Sequence, residues 1–435
     1  MPGTSLAHVP VLGNRRMPPA LRANKTSGGM RGYGNKVAQR RAGHASKMKK
    51  IIVLVAALLL VLLAVFFGLV PQLVESTLNR VRASPSSRVS PQARALHGDL
   101  EIVDLHADSL LWGRDLLPRG SRGHADVPRL IEGNVALEVF TAVTKTPRAL
   151  NYDRNEANSD NIFWLALAQR WPPSTWNSLT ARALYLAKRF EQTAASSNGK
   201  LVPIRTPQDL ASYLKRRKEN REITAGLLGI EGAQALDGKI ENLEPLFQAG
   251  YRYMSLTHFF DDEFAGSSAG VTKGGLTPLG HELVRQMNAR GMIIDLAHTS
   301  PRTIRDVLAE SKRPAIYSHG GLQGNCNNRR NLSDEEARGI ARSGGIIGIG
   351  FWPIAVCGKD ARAIARAIRY AVETAGIEHV GLGSDFDGSV TVPFDAAQLA
   401  ELTEALLQEG FSAAEIRAVM GGNALRFFSE NLPHQ

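Results

Sequence analysis

Five side chains able to ligate a metal stand at the ends of short apolar, β-branched runs: His106 and Asp108 in VDLHADSL, Glu231 in LGIEGAQ, His298 in IIDLAHTS and His319 in IYSHGG. Zinc takes imidazole nitrogen and carboxylate oxygen, and a pair of zinc ions needs one ligand that faces both, which the two oxygens of Glu231 allow. The set can hold two zinc ions and a hydroxide between them. His106 and Asp108 share one face of a strand, because residues two apart point the same way, so they chelate with little loop to order. A single histidine after an apolar run is more often a hydrogen-bonded structural residue than a ligand. Five such groups at corresponding places carry more weight. Asp385 in HVGLGSDFDG adds a carboxylate after a late strand, placed to shuttle a proton. Its neighbour Asp387 reads as part of an Asp-Gly turn with Gly388.

These groups need a scaffold that brings strand ends together. Apolar runs over 101–105, 135–143, 225–230, 253–256, 292–296, 315–318, 346–350 and 379–383 alternate with helical stretches such as 278–290, 300–311, 333–343 and 361–375. Ser333 followed by Glu336 forms a capping box. Strand and helix in alternation point to a parallel sheet, and eight strands to a (β/α)8 TIM barrel of the metal-dependent hydrolase type, which gathers its active groups at the C-terminal strand ends. The stretch 145–206 holds insertion helices, one over 161–170. His124 and Asp126 repeat the His-x-Asp pattern but precede Pro128, so capping and loop packing suit them better than metal. His281 reads as an exposed helical residue. Asp261, Asp262 and Glu263 line the mouth or form a solvated acidic loop. Phe351 and Trp352 shape a pocket or pack in the core.

The N-terminal part is unlike the rest. Residues 1–50 contain eleven Lys and Arg and no Asp or Glu, so the whole formal charge of +11 lies there. The remainder balances, which leaves nucleic-acid binding by the folded body without support. Residues 51–70, IIVLVAALLLVLLAVFFGLV, carry no charge and as a helix span about 30 Å, the thickness of a bilayer core. Lys47, Lys49 and Lys50 precede the run, so the positive-inside rule keeps the N-terminus cytoplasmic and sends the body outward. A cleaved signal peptide is the competing reading; no small-x-small site follows at once, and an uncleaved signal anchor is favoured. The expected layout is a disordered basic tail over 1–50, or a start at Met48, then the membrane helix 51–70, a linker 71–97 and a catalytic domain 98–435. A helix continuing over 73–81 fits within that linker.

Taken in order, DLHAD at 104–108, IEGA at 230–233, MSLTHF at 254–259, DLAHTS at 295–300, YSHGG with RRNLSD ending at Asp334, and GLGSDFDG at 381–388 resemble the membrane dipeptidase (renal dipeptidase) family of zinc peptidases, peptidase family M19. The bacterial members are the more similar. The resemblance runs from about Leu100 to Phe428 and implies the barrel with two Zn²⁺ per chain. His106, Asp108 and Glu231 would hold one zinc, and Glu231, His298 and His319 the other. It also implies that His258 contacts substrate near the scissile carbonyl, that Arg330 receives the substrate's C-terminal carboxylate, and that Asp385 is the general acid and base. Arg330 suits a carboxylate because its planar fork binds one in bidentate fashion. Arg329 reads as a surface or loop-bracing residue.

The expected activity is that of a membrane-anchored dipeptidase acting on dipeptides, including those with a C-terminal D-residue, in a bacterial inner membrane with the catalytic domain facing the periplasm. The resemblance also implies a homodimer. Cys326 and Cys357, outside the cytoplasm, read as a disulfide or as two buried thiols; the resemblance implies that they pair and pin the loop carrying Arg330. Two other readings stay open: a metal-dependent amide or lactone hydrolase on the same barrel, and an inactive membrane-tethered interaction protein.

Overall fold

The computed structural model describes residues 30–82 and 88–434. Part of the expected tail, 1–29, and part of the expected linker, 83–87, lie outside the described residues. The chain divides into two compact units, residues 1–63 and 64–435. One helix, Met30–Gly68, carries the apolar run, and its side chains from Ile51 to Leu60 are exposed. It is long and apolar enough to cross a membrane. The helix begins well before the run, so the part of the expected disordered tail that is described, 30–50, is helical. Those residues contain no proline and several Ala, Arg and Lys, which extend a helix once the apolar run has nucleated it.

Where a linker is expected over 71–97 the second unit has structure. A helix Val70–Leu78 starts with Pro71 in its first turn, and Arg80–Val81 pairs in parallel with Thr391–Val392. A helix Pro91–Gly98 comes next, capped by Ser90, with Ala93, Leu96 and His97 buried.

Eight parallel strands close into a barrel: β1 Ile102–Ala107, β2 Val135–Val143, β3 Thr224–Glu231, β4 Tyr251–Ser255, β5 Ile293–Asp295, β6 Ile316–Gly320, β7 Ile346–Ile349 and β8 Val380–Leu382. Each lies at a place where the sequence predicts one. The ring closes where β8 meets β1, Leu382 opposite Asp104, and β2 runs along β3 from Leu137–Ala225 to Val143–Glu231. Adjacent strand residues fall into different apolar clusters. Ile102, Phe140, Leu228 and Ile347 join the large one, while Val103, Val139, Leu227 and Ile346 join a smaller one with Phe427 and Phe428. That alternation is what a sheet with two buried faces requires. The helices Pro278–Arg290 and Ala361–Ala375 match their predicted spans, and Ser333 and Glu336 cap Asp334–Arg342 reciprocally. Gly383 is needed for close approach: a Cβ there would stand 1.9 Å from the Ser318 carbonyl oxygen.

Candidate active site

The barrel brings the predicted ligands to one end. His106 lies in β1 with Asp108 just beyond it, Glu231 ends β3, and His319 lies in β6. His298 and Asp385 each follow the end of their strand, β5 or β8, by three residues. All six are buried, none more than 7% exposed. His298 and Asp385 have φ of 65° and 61°, a left-handed conformation that non-glycine residues keep only where their surroundings hold them.

Glu231 is the hub. Its Oε1 lies 3.5 Å from His106 Nε2, 3.0 Å from His298 Nε2 and 3.4 Å from His319 Nε2. Its Oε2 lies 3.2 Å from His258 Nε2. His298 and His319 bring their Nε2 atoms within 3.0 Å of each other, and Asp108 Oδ1 is 3.6 Å from His106 Nε2. The ligand atoms of His106, Glu231 and His319 fall within 4.8 Å of one another, as do those of Glu231, His258 and His298, and those of His106, Asp108 and Asp385.

Side chains behind the ring settle which nitrogen faces inward. The Ser318 hydroxyl gives its one proton to Asp295 Oδ2 at 2.6 Å, so at 2.8 Å from His319 Nδ1 it accepts, leaving the His319 Nε2 lone pair toward Glu231. Tyr253 does the same for His106. Its hydroxyl donates to the Leu105 carbonyl at 2.9 Å and accepts from His106 Nδ1 at 3.2 Å. Asp295 is held in turn by the Ser318 and Ala297 backbone N–H groups, and Thr141 hydrogen-bonds to Asp108. Nothing in the sequence singles these braces out, although Asp295 and Ser318 stand inside the motifs that carry His298 and His319.

The charges favour a cation. Burial holds His298 and His319 well below the ordinary imidazole value and draws His258 down to about 3, so these rings are neutral and free to ligate. Burial, then Asp108, pushes Glu231 well above the usual carboxylate range; burial does the same to Asp385. His106 is the exception: burial opposes its charge, but Glu231, Asp108 and Asp385 outweigh that and raise it to about 10. Three buried carboxylates are thus met by only two positive groups, His106 and Arg330, and His298 Nδ1 has no hydrogen-bond partner among the described residues. This nitrogen and oxygen donor set fits divalent metal ions of the zinc kind.

A cavity of about 90 Å³ opens onto the ring, lined among others by Tyr152, His258, Phe259, Arg330, Trp352 and Asp385. Arg330 donates from Nη1 to Tyr317 Oη at 2.6 Å and from Nη2 to the His319 carbonyl at 2.8 Å. Its Nε has no partner among the described residues. Cys326 and Cys357 form a disulfide, and Asn331, next to Arg330, donates to the Cys326 and Ala355 carbonyls at 2.8 and 3.0 Å. Trp352 faces the cavity, whereas Phe351 packs on Phe386 and Phe394.

Tyr152 in the insertion after β2 is a lining residue that nothing in the sequence singles out; burial pushes its hydroxyl up to about 12. Among the remaining polar groups, Asp126 caps the helix Val127–Glu132, and Asp261 and Asp262 accept backbone N–H groups of their own loop. Asp387 is more than a turn residue: its carboxylate accepts from Ser109 Oγ and the His124 N–H and pairs with Arg114.

The model of the membrane dipeptidase family, peptidase family M19, matches residues 90–433. Dipeptidase aclJ of Aspergillus oryzae is 37% identical over 216 residues, covering 47% of this chain and 51% of that protein, so the match spans about half the length of that relative. An uncharacterized dipeptidase of Schizosaccharomyces pombe is 28% identical over 72% of this chain and 75% of its own. Among solved structures, a metallo peptidase of Rhodobacter sphaeroides liganded with a phosphinate mimic of the dipeptide L-Ala-D-Ala superposes with a TM-score of 0.64 at 23% identity, over 77% of this chain and 99% of that one. At that identity the likeness speaks for the barrel.

Proposed function

Because this chain belongs to the membrane dipeptidase family, peptidase family M19, we propose that it hydrolyses dipeptides with two zinc ions, one on His106, Asp108 and Glu231 and the other on Glu231, His298 and His319. The observation that carries this is the Glu231 carboxylate met by the Nε2 atoms of four neighbouring histidines at 3.0–3.5 Å. When bound, the metal pair supplies Lewis acidity and a water acidified toward neutral pH. The chain's own groups do the rest. Asp385 takes a proton from the attacking water and hands it to the leaving amine. His258, kept neutral by burial, carries one N–H; it contacts the substrate near the scissile carbonyl, where an N–H stabilises the oxygen as it gains charge. Arg330 receives the free carboxylate of the substrate through the N–H groups it has not given to Tyr317 and His319. A required carboxylate one residue beyond the scissile bond restricts the substrate to dipeptides.

The proposal extends to a D-residue at the C-terminal position, supported by the L-Ala-D-Ala mimic bound to the Rhodobacter protein. It also includes an uncleaved anchor at 51–70, with the catalytic domain across the membrane from the basic segment, on the periplasmic side of a bacterial inner membrane. The eleven Lys and Arg of residues 1–50 support that orientation. The test is zinc content together with release of amino acids from L-Ala-L-Ala and L-Ala-D-Ala by the full chain, with Asp385→Asn and Glu231→Gln as variants. Two zinc ions per chain, turnover lowered about a hundredfold or more but still measurable in Asp385→Asn with metal retained, and metal lost in Glu231→Gln are expected. A folded, zinc-loaded chain inert toward dipeptides but active on another amide or a lactone would replace this reading.

A further inference from the structure

Just past the apolar run, side chains that a linker would leave in water are buried. In the helix Val70–Leu78 the buried residue is a glutamate, Glu75, 2% exposed. Arg114 Nε donates to its Oε1 at 2.7 Å and Arg122 Nε to its Oε2 at 3.1 Å. Arg114 spans two carboxylates: its Nη1 donates to the Ala125 carbonyl at 2.7 Å and its Nη2 pairs with Asp387. Asp387 ties the far side together. Ser109 Oγ donates to it at 2.5 Å, the His124 N–H at 2.6 Å, and Trp112 Nε1 to its carbonyl at 2.7 Å. Ser109 adjoins Asp108, and Asp387 stands two residues from Asp385.

The same segment holds that turn a second time. Asn79, also buried, accepts the Ser389 N–H at 2.8 Å. Arg80 N donates to the Val390 carbonyl at 3.2 Å and Arg82 N to the Val392 carbonyl at 2.8 Å, either side of the strand pair Arg80–Val81 with Thr391–Val392. The turn needs holding. Asp385, Asp387 and Ser389 have φ of 61°, 63° and 63°, three non-glycine residues in the left-handed region within five positions.

We propose that residues 75–82, directly beyond the membrane-spanning run, are a positioning element of the active site: Glu75 through Arg114, with Asn79 and the Arg80–Val81 strand, fixes the turn 385–389 and so aims the Asp385 carboxylate. The inference rests on the reading of Asp385 as the proton carrier. Glu75 itself touches neither substrate nor metal ligand. It acts by keeping Arg114 between two carboxylates, so that Arg114 stays seated on Asp387. A proton carrier must sit within hydrogen-bond reach of both water and leaving amine, so displacing the turn slows the chemical step more than it weakens binding.

The test uses the zinc-loaded full chain in detergent micelles, with L-Ala-D-Ala and L-Ala-L-Ala as substrates, Glu75→Gln as the variant, and enzyme concentrations high enough to read single turnovers. Glu75→Gln is expected to lower kcat about tenfold while KM stays within about twofold, with zinc content retained and the fold kept at a melting temperature several degrees lower, well above the assay temperature. In an Asp385→Asn background the same change should cost less than about twofold, because two changes acting through one group are not additive. An equal loss in both backgrounds would mark a general structural effect and overturn the proposal, as would a kcat for Glu75→Gln within about twofold of the parent. Should Glu75→Gln fail to fold, Asn79→Ala loosens the turn from its other side and is read in the same cycle. Asp385→Asn with undiminished turnover sinks the proton-carrier reading and this inference with it; Asp385→Asn strongly slowed beside an intact Glu75→Gln sinks the inference alone.

Discussion

A hydroxyl one residue away decides which nitrogen His319 offers to a metal. Ser318 Oγ spends its proton on Asp295 and accepts from His319 Nδ1, so Ser318→Ala leaves the ring free to hold its proton on either nitrogen while every ligand remains. The expected outcome is a loss of zinc affinity of about tenfold to a hundredfold, read by competition with a chelator, with turnover restored at saturating zinc. Unchanged affinity would show that packing alone orients the ring. At this scale the sequence was legible where residue type is itself the chemistry: His106, Asp108, Glu231, His298, His319 and Asp385 stand out because few other side chains ligate metal or move protons. The braces did not stand out. Tyr253, Ser318 and Thr141 are ordinary strand residues whose importance comes from a partner on a neighbouring strand, and Tyr152 reaches the cavity from an insertion with no periodic pattern to place it.

Among the elements, the eight strands and the helices between them were legible because their apolar periodicity runs over enough residues to be read. The helix Pro91–Gly98 was not: eight residues give about two turns, too few for a pattern, and Pro, Ser and Arg beside it look like a linker. Its attachment depends on His97, whose Nδ1 lies 2.9 Å from Thr403 Oγ1 and whose Nε2 lies 3.2 Å from the Gly133 carbonyl. Burial draws this ring from 6.5 to about 4 in spite of the Gly133 contact, so it docks in the neutral form. Above pH 6.5 neither the folded nor the unfolded chain protonates it. Between pH 6.5 and about 4 the unfolded chain takes up a proton that the folded chain refuses, and stability falls with falling pH by up to about 3 kcal/mol; below about 4 nothing more is lost. In melts across pH 7 to 4, the stability advantage of the parent over His97→Gln should shrink through that window. A constant difference would show that His97 docks equally well protonated.

For the whole molecule, charge and hydropathy gave the order of parts but not where folding begins. Eleven Lys and Arg ahead of a twenty-residue apolar run mark a basic leader and a helix long and apolar enough to cross a membrane. The residues after the run carry no such mark, because their partners are remote in sequence: Glu75 meets Arg114 across 39 positions and Asn79 meets Ser389 across 310. No local pattern encodes contacts of that kind. The two candidate boundaries differ in their consequences for shortened chains. If the catalytic unit needs only the residues beyond the linker, chains beginning at Met48 and at Arg88 should be equally stable. The contacts argue otherwise. A chain from Met48 keeps every ligand and the whole of 64–82, so its kcat and KM should match the full chain. A chain from Arg88 loses Glu75, Asn79 and the Arg80–Val81 strand and leaves Arg114, 6% exposed, without one of its two carboxylates. Stripping one partner from a buried ion pair costs on the order of 3 kcal/mol, so its melting temperature should fall by several degrees even with zinc bound. Equal melting temperatures for the two chains would return 64–87 to the status of a tether.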